Sequence, residues 1–294
     1  MGLAKGSASI LLAESARKPF SGEVLTLGKQ DVYFSDAAFK KMAARFGATL
    51  SPLPAVLSPK PDFAAQGYIS DDYLFASLGF SKTHCLDYSD FEGAGIIHDL
   101  NAPEAPASLR ERYDLVVDGG TLEHVFHIPN ALNNIFQMLK VGGRVVHILP
   151  TTNMVDHGFY MFSPTLLLDF YGANNYQVEY IRLIKHTLDQ TKPWIIYNYT
   201  LGCLDNISLG GLDSGMYSVC CVATKTEKST GNLVPQQRCY QNGAWIGVPQ
   251  YMDTTKEDEK SPQSGSLVAK KLLRLRQSLK KKFKGVKMVP MIRY

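Results

Sequence analysis

Residues 113–150 read YDLVVDGGTLEHVFHIPNALNNIFQMLKVGGRVVHILP. An apolar run, Leu115 to Val117, ends in Asp118 and a Gly119-Gly120 turn. Leu132, Ile135, Phe136 and Leu139 then recur at helical spacing, and Gly142-Gly143 stops that helix and launches a second apolar run, Val145 to Leu149. Two parallel strands cannot be joined by a tight turn; they need a crossover, usually a helix. Strand–helix–strand with short connections is therefore the unit of a parallel sheet, and it predicts an α/β chain.

The rest of residues 20–225 repeats that alternation. Strand runs are expected at 24–28, 83–86, 95–98, 177–184 and 216–224. Asp36 caps a predicted helix over 37–46, and Ser70 with Asp71-Asp72 starts another. Ser163-Pro164 opens a third over 165–171, serine at the cap and proline in the first turn being favoured there. Pro52, Pro54, Pro59 and Pro61 make 51–62 an extended loop, and 48–70 reads as an insertion over the sheet. About seven strands alternate with helices, which predicts a doubly wound, Rossmann-like, mostly parallel sheet.

Leu122-Glu123-His124-Val125 and Leu139-Lys140-Val141-Gly142-Gly143, with the Asp118 turn before them, resemble class I S-adenosylmethionine (SAM) dependent methyltransferases. The likeness is to the methyltransferase type 11-like kind associated with bacterial sugar and surface-polysaccharide pathways; the stretch DHGFYMFSP at 156–164 resembles a loop of such proteins. The resemblance covers about two-thirds of the chain. It implies a seven-stranded sheet with the last strand antiparallel, SAM as cofactor, and methyl transfer to O or N of a small-molecule or glycan acceptor.

In an open parallel sheet the ligand lies outside the carboxyl ends of the strands. Those ends offer Gly28, Asp87, Asp99 and Asp118. The resemblance implies that the loop after the first strand holds the methionine part of the cofactor and that Asp87 takes the ribose hydroxyls. It places Asp99 and Leu100 at the adenine, and the Asp118-Gly119-Gly120 turn near the sulfonium. A carboxylate suits a vicinal diol because it accepts two hydrogen bonds at once. The chain departs from the family at Gly28-Lys29-Gln30-Asp31, where a glycine-rich loop is usual. Gln30 is expected at the cofactor's amino-acid end and Asp31 against its positive charge. The alternative is a non-catalytic, methyltransferase-like binding protein with a degenerate cofactor loop. A nicotinamide-dependent enzyme is disfavoured by the missing GxGxxG.

His157, in the loop after the fifth strand, and His124, after the fourth, are the candidate catalytic residues. Histidine titrates near neutrality and can accept a proton from a hydroxyl or amine. Phe159, Tyr160 and Phe162 are expected to wall the acceptor. No metal is expected, since neither HExxH nor paired CxxC spacing occurs.

Three regions are expected: a methyltransferase-like domain over 1–225, a polar, turn-rich extension over 226–260 and a basic amphipathic helical tail over 261–294. The tail holds ten Lys or Arg and no acid, leaving 21 bases against 27 acids before it. Val268, Leu272, Leu275, Leu279 and Phe283 give it an apolar stripe, which suits an anionic membrane surface. The acidic body and the lack of a binding motif speak against nucleic acid. Five cysteines at scattered spacing match neither a disulfide framework nor a zinc site. A cytoplasmic setting, peripheral at the inner membrane surface, is the expectation. The N-myristoylation motif fails at Gly6, where it needs Ser or Thr.

Overall fold

The computed structural model describes residues 2–189, 194–204 and 212–237, and a strand at 290–293. The central sheet contains β2 (Glu23–Leu27), β4 (Lys82–Asp87), β5 (Ile96–Ile97), β6 (Tyr113–Asp118), β7 (Leu139–Thr152), β8 (Gln177–His186), β9 (Ile195–Asn198) and β10 (Met216–Thr224). A further strand, β11 (Pro290–Arg293), joins it at β9. The spatial order is β11-β9-β8-β10-β7-β6-β2-β4-β5.

Alternate residues of each strand feed two separate cores. Leu25, Val116, Val145, Leu149 and Cys221 point to the face covered by α5 (Ile128–Met138) and α6 (Pro164–Ala173). Val24, Leu115, Val117, Val146 and Cys220 point to the face covered by α1 (Lys5–Arg17), α2 (Asp36–Phe46) and α4 (Asp71–Ser77). Burial of both faces explains why these strands read as continuous apolar runs rather than as alternation. The doubly wound reading follows directly from this two-sided packing.

The neighbours β5, β4, β2, β6 and β7 run parallel. β10 lies antiparallel to both β7 and β8, so β8 runs with β7. Six parallel strands and one late antiparallel strand thus form the body of the sheet. The strand count of seven is corrected: β9 pairs antiparallel with β8, and β11 with β9, extending that edge. The sequence run 195–198 is too short to stand out from a loop.

Several boundaries also move. The helix after β6 does not continue to Leu139; β7 already begins there, and Gly142 sits inside it at φ +81°. Lys225 exchanges backbone bonds with Gly142 and Gly143, holding that stretch extended. Glu123 and His124 lie on a single 3-10 turn, Leu122–His124, rather than at the start of α5. The 48–70 insertion carries a short helix, α3 (Pro61–Ala65), and bridges at Ser35–Tyr68 and Leu57–Ile69. The caps at Ser70 and Ser163 form as the sequence suggests, each accepting a backbone N–H at 3.1 Å.

At the amino end, β1 (Gly2–Leu3) pairs with β3 (Asp31–Val32), and α1 follows. Glu14 of α1 is fully buried against Arg144 of β7, at 2.7 Å. Among the described residues no helix is long and apolar enough to cross a membrane. The extension expected over 226–260 is described only to Gln237, and the helical stretch of the tail lies outside the described residues. The tail's last residues, beyond the helical pattern that ends at Phe283, form β11 and pair with β9.

Candidate functional site

The chain runs from β2 outward to β4 and β5, then returns to β6 on the other side of β2. The switch point therefore lies between the carboxyl ends of β2 and β6, where connections leave in opposite directions and open a crevice. Gly28 and the Asp118-Gly119 turn meet there.

Gly28 has φ +74°, a conformation that glycine adopts without strain, and its N–H bonds Leu86 O at 2.8 Å. The Thr121 hydroxyl donates to Leu27 O at 2.6 Å, tying the β6 turn to the end of β2. Asp87 ends β4 beside Gly28: a Cβ built on Gly28 would lie 3.9 Å from Asp87 Oδ2. Asp87 Oδ1 accepts the Tyr88 N–H at 2.6 Å. Among the described residues no cation pairs with this carboxylate.

Gln30 turns inward and is buried. Its Nε2 donates to Leu27 O and Gly28 O at 3.2 and 3.3 Å, and its Oε1 has no hydrogen-bond partner among the described residues. A Cβ on Gly119 would come within 2.7 Å of that oxygen, so the side chain fits only because Gly119 has none. Lys29 points away and pairs with Asp71 at 2.7 Å. The Lys29 charge is thereby neutralised at the start of α4.

Four other residues singled out in the sequence are engaged elsewhere. Asp31 pairs with Lys60 of the insertion at 2.6 Å. Asp99 is exposed and accepts both the backbone and side-chain N–H of Asn101 at 2.8 Å. Leu100 is buried in the core under α5. Asp118 is fully buried; Oδ1 accepts Thr121 N–H and Leu122 N–H, and Oδ2 lies 2.7 Å from His147 Nδ1. His147 Nε2 in turn lies 2.6 Å from the Tyr171 hydroxyl. Burial raises the Tyr171 phenol well above its ordinary range, keeping it a donor. The sequence signal for this chain of contacts is His147 itself, a polar residue inside the apolar run VVHIL.

His124 and His157, far apart in sequence, come together with ring centroids 5.1 Å apart. Glu123 joins them: Oε1 lies 3.5 Å from His157 Nε2. The Glu123 side chain has no solvent exposure, and among the described residues neither oxygen has a hydrogen-bond partner. Burial, with the charge of Asp118 behind it, pushes its carboxyl up to about 8. Burial and neighbouring His157 hold His124 below the usual imidazole range. The loop carrying His157 is hooked to the same residue: Phe159 N–H and Tyr160 N–H both donate to Glu123 O, at 2.7 and 3.3 Å. Gly158 permits this approach, since a Cβ there would meet Glu123 O at 2.7 Å.

Beside the histidines stands an aromatic rim. Phe126 and Phe159 cross edge to face at 5.8 Å and are largely exposed. The Tyr160 hydroxyl donates to Phe126 O at 2.8 Å, fixing one side of it. Phe162 is buried in the core instead.

No protein-family model matches the sequence, and no curated protein matches it. Solved structures do. A SAM-dependent methyltransferase from Archaeoglobus fulgidus is 13% identical, covering 75% of this chain and 96% of its own, at a TM-score of 0.36. Phosphoethanolamine N-methyltransferase 2 from Haemonchus contortus, in complex with S-adenosyl-L-methionine, is 11% identical, covering 75% of this chain at a TM-score of 0.39; the match spans 52% of that protein. Geranyl diphosphate methyltransferase in complex with SAM is 14% identical, covering 76% and 85%, at a TM-score of 0.36. The assignment of this chain to the doubly wound α/β class rests on its own strand order.

Proposed function

We propose that the chain is a SAM-dependent methyltransferase acting on an oxygen or nitrogen of a small molecule or glycan intermediate. The observation that carries this reading is Asp87: a carboxylate at the carboxyl end of β4, beside Gly28 at the switch point, with no cation among the described residues to neutralise it. A ribose diol would satisfy it with two hydrogen bonds. Gln30 supplies a second fit. Among the described residues its Oε1 is a buried acceptor without a donor, and such a group costs free energy until one arrives. The ammonium of the cofactor's amino-acid end is a donor of the right kind.

SAM, when bound, supplies an already activated methyl group on a sulfonium. The chain's own residues then need to align the acceptor and exclude water. Phe126 and Phe159 offer a flat apolar rim for the acceptor, and His124 and His157, beside that rim, are the proposed groups for contact with its hydroxyl or amine. Lys29 is held off the site by Asp71.

A specific observation also favours the non-catalytic reading: Gln30 fills the space against Gly119, in the place of a glycine-rich loop. Calorimetry with SAM and with its demethylated product separates the two. Binding followed by transfer of labelled methyl to a panel of hydroxyl and amine acceptors supports catalysis; absence of binding ends it. The basic tail adds an anionic membrane surface as a proposed contact, read from its ten positive charges alone. Co-sedimentation with anionic vesicles at low salt tests it, and indifference to the vesicles removes it.

A further inference from the structure

We propose that Glu123, His124 and His157 form a binding site for one divalent first-row transition-metal ion, open on its solvent side to an oxygen ligand from the acceptor. Two imidazoles and a carboxylate are a donor set for Zn2+, Co2+ or Mn2+ rather than for Mg2+ or Ca2+, which prefer oxygen alone. One ligand atom from each residue lies within 4.8 Å of the others. His157 Nε2 and Glu123 Oε1 are 3.5 Å apart. That is long for a hydrogen bond. It is close to the roughly 3.3 Å that separates two ligands of a tetrahedral ion with bonds of about 2.0–2.1 Å.

The second observation is independent of that spacing. The Glu123 carboxylate has no solvent exposure, and among the described residues neither of its oxygens has a hydrogen-bond partner. A buried carboxylate without a partner is expensive, and it is stabilised by a cation or by a proton. Two donors of the cluster are exposed imidazoles, so an ion would be held from below by Glu123 and reached from solvent above. Three protein ligands leave coordination positions free, the arrangement of a catalytic rather than a structural metal site.

The backbone holds the cluster in place before any ion arrives. Glu123 and His124 share one 3-10 turn, and His157 sits in a loop clamped to Glu123 O by two N–H donors. Gly158 makes that clamp possible. The sequence pattern conceals the site because the third ligand comes from a different loop, after β7 rather than β6.

Metal binding does not depend on methyl transfer; the acceptor's place at the open positions rests on that reading. There, an ion would orient an acceptor hydroxyl and lower its pKa, so the two histidines would act through the metal rather than as free bases.

Full-length protein is freed of metal by dialysis against a chelator and titrated with Co2+, whose visible d–d absorption reports the ligand field. Saturable uptake of one ion per chain is expected, with displacement by Zn2+. His124→Ala and His157→Ala, both at exposed positions, should each weaken uptake at least about tenfold, the lower end for loss of a ligand-shell contact. Glu123→Gln, isosteric in the buried position, should do the same while circular dichroism stays native. A His124→Ala/His157→Ala protein that is folded and titrates like wild type overturns the site. So does wild type showing no d–d spectrum. Calorimetry of SAM on the metal-free protein is read separately. No SAM binding with normal Co2+ uptake would end the methyltransferase reading and leave the metal site. SAM binding with histidine-independent Co2+ uptake would do the reverse.

Discussion

His147 Nδ1 and Asp118 Oδ2 lie 2.7 Å apart, and neither residue has any solvent exposure. The acid that ends β6 is therefore aimed into the sheet, not at the crevice. The Tyr171 hydroxyl, 2.6 Å from Nε2, continues the contact on the other side of the ring. Asp118→Ala would leave His147 and the N–H groups of Thr121 and Leu122 without their acceptor. At about 1–3 kcal/mol for each unsatisfied buried donor, the three together predict a loss of at least about 3 kcal/mol. Urea unfolding followed by circular dichroism measures it; a loss under 1 kcal/mol would mean that the contacts are not built into the folded state.

Glu14 and Arg144 are the corresponding lock on the opposite face. Both are buried, and the Arg144 guanidinium also lies 4.3 Å above the Phe20 ring. Glu14→Gln removes the charge and leaves Arg144 uncompensated. Breaking one partner of a buried pair costs about 3–5 kcal/mol. Removing both, as Glu14→Leu with Arg144→Met, should cost less than the single change. A double variant less stable than Glu14→Gln would contradict that account.

Asp87→Ala should weaken SAM binding by about 1.5–3 kcal/mol, the scale of hydrogen bonds to a charged group, with little change in thermal stability. Asp99→Ala should weaken it less, because that carboxylate already serves Asn101. Calorimetry on both variants ranks them, and the reverse order would move the ribose site away from β4.

His186 gives a pH prediction. Burial holds its imidazole below the usual histidine range, and Nε2 lies 2.9 Å from Ser218 Oγ. The unfolded chain takes up a proton near pH 6.5, while the folded protein resists it. The group's favourable contribution is thus present above about pH 6.5 and is lost as pH falls towards the depressed folded value. His84, also lowered by burial and by Arg112, acts in the same direction. Melting temperature should fall between pH 7.5 and 5, and His186→Gln should flatten that fall. A variant with an unchanged slope would assign the acid sensitivity to other groups.

The sheet was legible where its strands are buried on both faces, as at Leu115–Asp118 and Met216–Thr224, and where a strand ends in an acid, as β4 and β6 do at Asp87 and Asp118. α1 left no such signal. Gly6, Ala8, Ile10, Leu11 and Ser15 are all buried, so the helix shows no polar face to set a period. Its Gly6 is there for contact: a Cβ would collide with the Trp194 ring at 2.0 Å. In the site, the two histidines carried a readable chemical character, and the sequence pointed to both. Glu123 looked like an ordinary acid at a helix start, because burial and the loss of partners are properties of the fold. The fate of Asp31, Asp99 and Asp118 was equally hidden, since each is decided by a neighbour distant in sequence or by a local turn.

The carbonyl of Glu123 receives two N–H groups from the loop after β7 while its side chain faces that loop's histidine. Backbone and side chain of one residue thus hold the same loop from two directions, as a latch does. That loop cannot swing outward without pulling His157 away from Glu123. Outward movement of the loop and dismantling of the three-residue cluster would therefore be one event, so on the proposed function the closed latch favours a small acceptor over a bulky one.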